Sequence, residues 1–139
     1  MYSLDELKQQ NKDIRELCDV LSVLIEHTEL HSNPYLCDLM QRFKEKVWIH
    51  LVFEDNTVYA ALLRHSDGAI SQTAKAFHDS AREIKHRFSG YVKHWCKAAA
   101  SDAEHQALQE ESRDIFQLIM GRVRYEDEYI FPLVEKHTQ

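Results

Sequence analysis

The sequence predicts an all-α protein, an up-down-up-down four-helix bundle that forms one domain over residues 1–139. Three observations carry that expectation. Only three glycines and two prolines interrupt 139 residues, a length that can bury a sizeable core. Apolar side chains recur at helical spacing in four stretches, and short segments with helix-start or turn chemistry separate them.

Helix one is expected to open at Ser3-Leu4-Asp5-Glu6, a capping box in which serine and glutamate side chains satisfy the first free amides. Its apolar seam runs Leu4, Leu7, Asn11, Ile14, Cys18, Leu21 and Ile25. Asn33-Pro34 supplies an N-cap followed by a proline at the first helical position. Helix two then runs from near 34 with Leu36, Met40, Phe43, Val47, His50, Glu54 and Ala61 inward.

Ser66-Asp67-Gly68 is a turn, so helix three starts near 68. Its seam is Ile70, Ala74, Phe77, Ala81, Ile84, Phe88, Tyr91 and Trp95, with His78 and Arg82 on the flank. A second capping box, Ser101-Asp102-Ala103-Glu104, opens helix four, whose seam is Leu108, Ile115, Ile119, Arg122, Glu126, Ile130 and Leu133. Pro132 is expected to kink or end that helix.

Charge and composition exclude some function classes. A net charge of −6 argues against general nucleic-acid binding, which needs a basic surface. Basic side chains concentrate in residues 68–100, where Lys75, Arg82, Lys85, Arg87, Lys93 and Lys97 read as a solvated helix face in preference to a docking surface. Cys18, Cys37 and Cys96 are odd in number and scattered, a pattern that suits reduced thiols. No apolar run reaches membrane-spanning length, and Met1-Tyr2-Ser3-Leu4-Asp5-Glu6 lacks signal-peptide character. The expectation is a cytoplasmic protein with no membrane or nucleic-acid partner.

The most informative pattern interrupts two of the seams. His50 precedes Glu54-Asp55 by four residues, and Arg122 precedes Glu126-Asp127 by the same step, so each pair shares one helix face. The repetition hints at an ancient two-fold relation between helices two and four. With heights counted from the turns at about 1.5 Å per residue, the interruptions fall at one level. Asn11, His50, Glu54, His78, Arg82, Arg122 and Glu126, with Asp127 beside them, are expected to form one polar layer across the core. Buried polar side chains must be paired with each other or bound to metal.

The residues that carry this layer resemble the hemerythrin-like (HHE) family along nearly the whole chain. The likeness rests on Gln10-Asn11-Lys12-Asp13-Ile14-Arg15, the His-x-x-x-Glu-Asp of helix two, Phe77-His78, and the closing Glu126-Asp127-x-x-Ile130-Phe131-Pro132. It implies a four-helix bundle in which histidines and two bridging carboxylates hold two non-haem irons. Carried over by position, His50, Glu54 and His78 match ligands, and either Glu126 or Asp127 matches the last carboxylate. Asn11, Arg82 and Arg122 stand where the resemblance expects histidines.

Arginine has no lone pair for a metal and stays cationic at ordinary pH, so two guanidiniums would repel iron as well as fail to bind it. Arg82 and Arg122 equal Glu54 and Glu126 in number and fit them as partners. The layer is therefore expected to neutralise itself with no cofactor. The alternative is a working non-haem iron protein that senses or carries oxygen, nitric oxide or iron, with metal at His50, Glu54, His78, Glu126 and Asp127. A shorter likeness, the Arg-x-x-x-Glu-Asp run with the histidine of helix two, is similar to the Rsd/AlgQ regulators, helical bundles that bind a sigma factor. The expected role is a non-enzymatic regulatory or protein-interaction module with an unidentified protein partner.

Overall fold

The structure is a computed structural model that describes residues 4–30, 33–96 and 102–137. Helices α1 (Leu4–Leu24), α2 (Pro34–Asn56), α4 (Gly68–Cys96) and α5 (Asp102–Tyr125) are the four long rods of an all-α bundle. A short α3 (Val58–Leu63) extends α2, and a π-helical turn (Glu126–Ile130) leads from α5 into α6 (Phe131–His137). Neighbours in space are α1 with α2, α2 with α4, α4 with α5, and α5 with α1, which closes the up-down-up-down circuit.

Local chemistry explains the boundaries. The Asn33 side chain accepts from the Tyr35 amide at 2.9 Å, with Pro34 at the first helical position. Asp67 does the same for the Ala69 amide at 2.9 Å and starts α4. The Ser3 and Ser101 caps and the side chain of Trp95 lie outside the described residues.

The core is divided. One apolar cluster joins Ile14, Cys18, Leu21, Met40, Phe43, Leu51, Ala81, Phe88, Ile119 and Val123. A second joins Leu7, Val58, Tyr59, Leu62, Ala74, Ile130 and Phe131. In three stretches of the chain the change from one cluster to the other happens at the expected polar level: Leu7 to Ile14 spans Asn11, Leu51 to Val58 spans Glu54, and Val123 to Ile130 spans Glu126.

Three expectations need correction. Helix two does not run unbroken to Ala61: the chain breaks at Thr57 (φ −125°, ψ −80°), and α3 resumes with a new phase that buries Val58, Tyr59 and Leu62 and leaves Ala61 exposed. Pro132 does not end the last helix. The π turn, in which the Phe131 amide donates to the Glu126 carbonyl, supplies the local widening before a residue that has no N–H to donate. The cysteines are not all free, since Cys37 is disulfide-bonded while Cys18 is a buried thiol. Burial in apolar surroundings pushes the Cys18 thiol up to about 11, so it behaves as a small core residue.

Candidate metal centre

The polar level is built mainly by α1, α2, α5 and the π turn. Asn11, His50, Glu54 and Glu126 are all buried, and the Arg122 side chain is 8% exposed. Asn11 donates to the Asp127 carboxylate at 3.2 Å and to the Val123 carbonyl at 3.5 Å, which ties α1 to the end of α5. Arg15 pairs with the other oxygen of Asp127. Of the two adjacent acids, Glu126 points into the core and Asp127 turns to α1. The π turn begins at this pair.

His50 has an oxygen on each ring nitrogen. Its Nδ1 lies 2.7 Å from Gln10 Oε1, and its Nε2 lies 3.1 Å from Glu54 Oε1 and 3.4 Å from Glu126 Oε1. A neutral ring that donates from Nδ1 would aim a lone pair at two carboxylates. The doubly protonated ring resolves this. Burial works against the charged form, but hydrogen bonding to Glu126 and Glu54 outweighs it and lifts His50 to about 9.

The two acids respond in opposite directions. Burial and the neighbouring Glu126 raise Glu54 well above the usual carboxylate range. Burial also opposes the charge of Glu126, but hydrogen bonds from Glu54 and His50 and the nearby Arg122 hold it below its ordinary value. Tyr59 donates to Glu126 Oε2 at 2.6 Å, which further secures the anion. Desolvation pushes the Tyr59 hydroxyl far up, so it stays a donor.

Arg122 enters from the α4 side. Its Nη1 donates to the Phe77 carbonyl and to Ser80 Oγ, both at 2.9 Å. Its plane lies over the rings of Phe77 and Tyr59, at 5.1 and 5.4 Å. Toward the acids it is looser: Nη2 is 3.7 Å from Glu54 Oε1 and Nε is 3.6 Å from Glu126 Oε2. Neither of these nitrogens, nor Asn11 Oδ1, makes a hydrogen bond, and the contact nearest to Glu54 is that of His50 Nε2 at 3.1 Å.

His78 and Arg82 are not in this layer, contrary to expectation. Both have the right height but the wrong azimuth. The inward positions of α4 at that level are Ala74, Phe77 and Ala81, and one residue further along turns a side chain by about 100°. His78 is 47% exposed and pairs with Asp55 at 3.4 Å, and Arg82 is exposed. Gln10, Arg15, Tyr59 and Ser80 belong to the site but were not expected there. The signal for Tyr59 was hidden by the break at Thr57, and Gln10 touches only the far nitrogen of His50.

Among the described residues, His50, Glu54 and Glu126 form the one group of three donors within 4.8 Å of each other. The two-iron centre implied by the resemblance does not fit this set. It contains one imidazole, and Asn11, Asp127 and His78 are engaged elsewhere. A guanidinium stands within 4 Å of both carboxylates, where a second cation would need to lie. One imidazole nitrogen and two carboxylates make a donor set with room for a single cation at most.

Comparison with known proteins bears on the same residues. The family model described as hemerythrin HHE cation binding domain matches residues 3–134. No curated protein and no solved structure matches the chain. No helix among the described residues is long and apolar enough to cross a membrane.

Proposed function

Because the chain belongs to the hemerythrin HHE cation-binding domain family, we propose that it is a member without a functional two-iron centre, acting as a small regulatory or protein-interaction module. One observation carries this reading: Arg122 occupies the space between Glu54 and Glu126 as a fixed cation. With His50 and Arg122 positive, both acids can be offset without metal. Such a layer contributes more to register than to net stability, since desolvation offsets most of the attraction.

A non-enzymatic role is supported by the depth of the acids. Glu54 and Glu126 have no exposed surface from which to meet a substrate. An interaction role is supported by apolar side chains left on the outside of two helices. Ile49, Val52 and Phe53 stand exposed on α2, and Leu118 and Tyr125 on α5, with Tyr129 beyond them in the π turn.

Metal analysis and an ultraviolet-visible spectrum of protein expressed with ample iron test the first part of this reading. The expected result is fewer than two irons per chain and no oxo-bridge absorption; two irons with that absorption would overturn it. A direct binding assay with purified sigma factor tests whether the likeness to Rsd/AlgQ regulators extends to the partner.

A further inference from the structure

We infer that the seam between α2 and α4 is a docking surface for an acidic segment of a partner protein. The inference rests on the reading of the chain as a protein-interaction module, and it names the chemistry of the partner.

The surface follows from the helical phase of α4. Ala74, Ala81, Ile84 and Phe88 point into the core, and Ala76, Phe77 and Ser80 line a groove shared with α5. Two contacts fix the side toward α2: His78 lies 3.4 Å from Asp55, and the Lys85 ammonium sits 5.9 Å from the centre of the Trp48 ring. Steps of three and four residues from those positions give one stripe, Lys75, His78, Arg82, Lys85, Ser89 and Lys93, which contains no acid. The acids of α4, Asp79 and Glu83, each follow a stripe position by one residue, which carries them to the outer face, where both are exposed. Across the seam α2 presents Gln41, Lys44, Trp48, Val52 and Asp55 at the same spacing. Asp55 is the one carboxylate among these described positions, and His78 already engages it.

Charge says what would cover this seam. The ammonium groups of Lys44 and Lys85 both lie over the half-buried Trp48 ring, at 5.5 and 5.9 Å, so like charges from two helices converge on one aromatic. That arrangement favours an anion beside them. Elsewhere opposite charges tie the helices together: Lys8 pairs with Glu135, Arg15 with Asp127 and Arg113 with Glu26. The cations of α4 instead face a lysine, a tryptophan and a valine on α2. In the sequence they read as a solvated helix face; the shortage of acid on the helix opposite is what points to a partner. Lys97 lies outside the described residues.

Length and net charge favour a protein segment as the occupant. Lys75 to Lys93 spans about 27 Å, the length of a helix of about 18 residues. Val52, exposed next to Trp48, offers an apolar spot for a side chain of such a helix. The whole chain carries −6, so a long nucleic acid or an anionic membrane would be repelled by the rest of the molecule. A single acidic segment lies along the seam and avoids that repulsion.

The probe is a fluorescein-labelled synthetic helix of about 18 residues, with glutamates at i, i+3, i+4 and i+7 spacing around a central leucine, titrated with the full chain and read by fluorescence anisotropy. Saturable binding is expected, weakening about tenfold between about 0.05 and about 0.3 M salt. The Trp48 indole Nε–H resonance, assigned by its loss in Trp48→Phe, should shift as the peptide binds. Arg82→Glu, Lys85→Glu and Lys93→Glu combined should weaken binding by about tenfold or more. Lys12→Glu, Lys46→Glu and Arg124→Glu combined make the same change in net charge at exposed positions off the seam and should leave affinity within about twofold. No saturable binding, an unmoved Trp48 resonance, or an equal loss in the two triple variants would each overturn the inference. Tighter binding of single-stranded DNA of equal charge, or of phosphatidylserine vesicles, would also overturn it. The salt series and the Trp48 resonance are read on wild type, so they decide even where a triple variant does not fold. Iron is measured on the same sample. Two irons per chain would overturn the reading without a two-iron centre, whereas an unbound peptide with fewer than two irons ends this inference and leaves that reading standing.

Discussion

Arg122 precedes Glu126 by one helical turn, and its Nε lies 3.6 Å from Glu126 Oε2 at the level where the two apolar clusters meet. The spacing places cation and anion on one face. What turns the pair into a layer is the neighbouring helix, because Glu54 of α2 faces the same guanidinium.

Replacing Glu54 with Ala should therefore destabilise the fold by about 3 kcal/mol, since it leaves Arg122 and His50 with Glu126 as their one shared carboxylate. Urea unfolding of the metal-stripped protein measures this. An unchanged midpoint and slope would show that the layer is not paired as described.

Tyr59→Phe isolates one hydrogen bond to a charged acceptor while it preserves the ring that packs in the second cluster. The expected cost is about 1.5–3 kcal/mol. A variant as stable as wild type would mean that Glu126 does not depend on the tyrosine.

Stability should also carry the signature of His50. Its value in the fold, about 9, lies above the ordinary imidazole value of 6.5. The stabilisation is thus fully present below about pH 6.5 and is lost as pH rises through about 9. The total at stake is on the order of 3 kcal/mol. Denaturant unfolding of stripped protein from pH 6 to 9.5 should show this decline in wild type and a flatter profile in His50→Gln. Parallel profiles would remove His50 as the source.

His78→Ala and Arg82→Ala should each change stability by no more than about 0.5 kcal/mol, because both side chains are exposed. Thermal unfolding checks this. A loss comparable to that of Glu54→Ala would return them to the layer.

Much of this architecture was legible in the sequence because it is written in short-range chemistry. The cap at Asn33, the turn at Ser66-Asp67-Gly68 and the helical seams are local features, and counting residues from the turns placed Asn11, His50, Glu54, Arg122 and Glu126 at one level. Height, however, does not fix azimuth. His78 and Arg82 share the level but sit beside the inward positions Phe77 and Ala81, and the count could not show that they face outward. Tyr59 was hidden for a related reason, because the break at Thr57 re-phases the helix and cannot be read from periodicity that assumes an unbroken rod. The choice between Glu126 and Asp127 waited on the π turn, which alters the spacing of side chains where the two acids occur.

The most direct test of the central claim is a crystal structure of protein expressed with iron, with anomalous scattering recorded at the iron edge. The account predicts Arg122 packed against Phe77 and Ser80 beside Glu54 and Glu126, with at most one anomalous peak among them. Two peaks bridged by those carboxylates, with the guanidinium displaced into solvent, would contradict it.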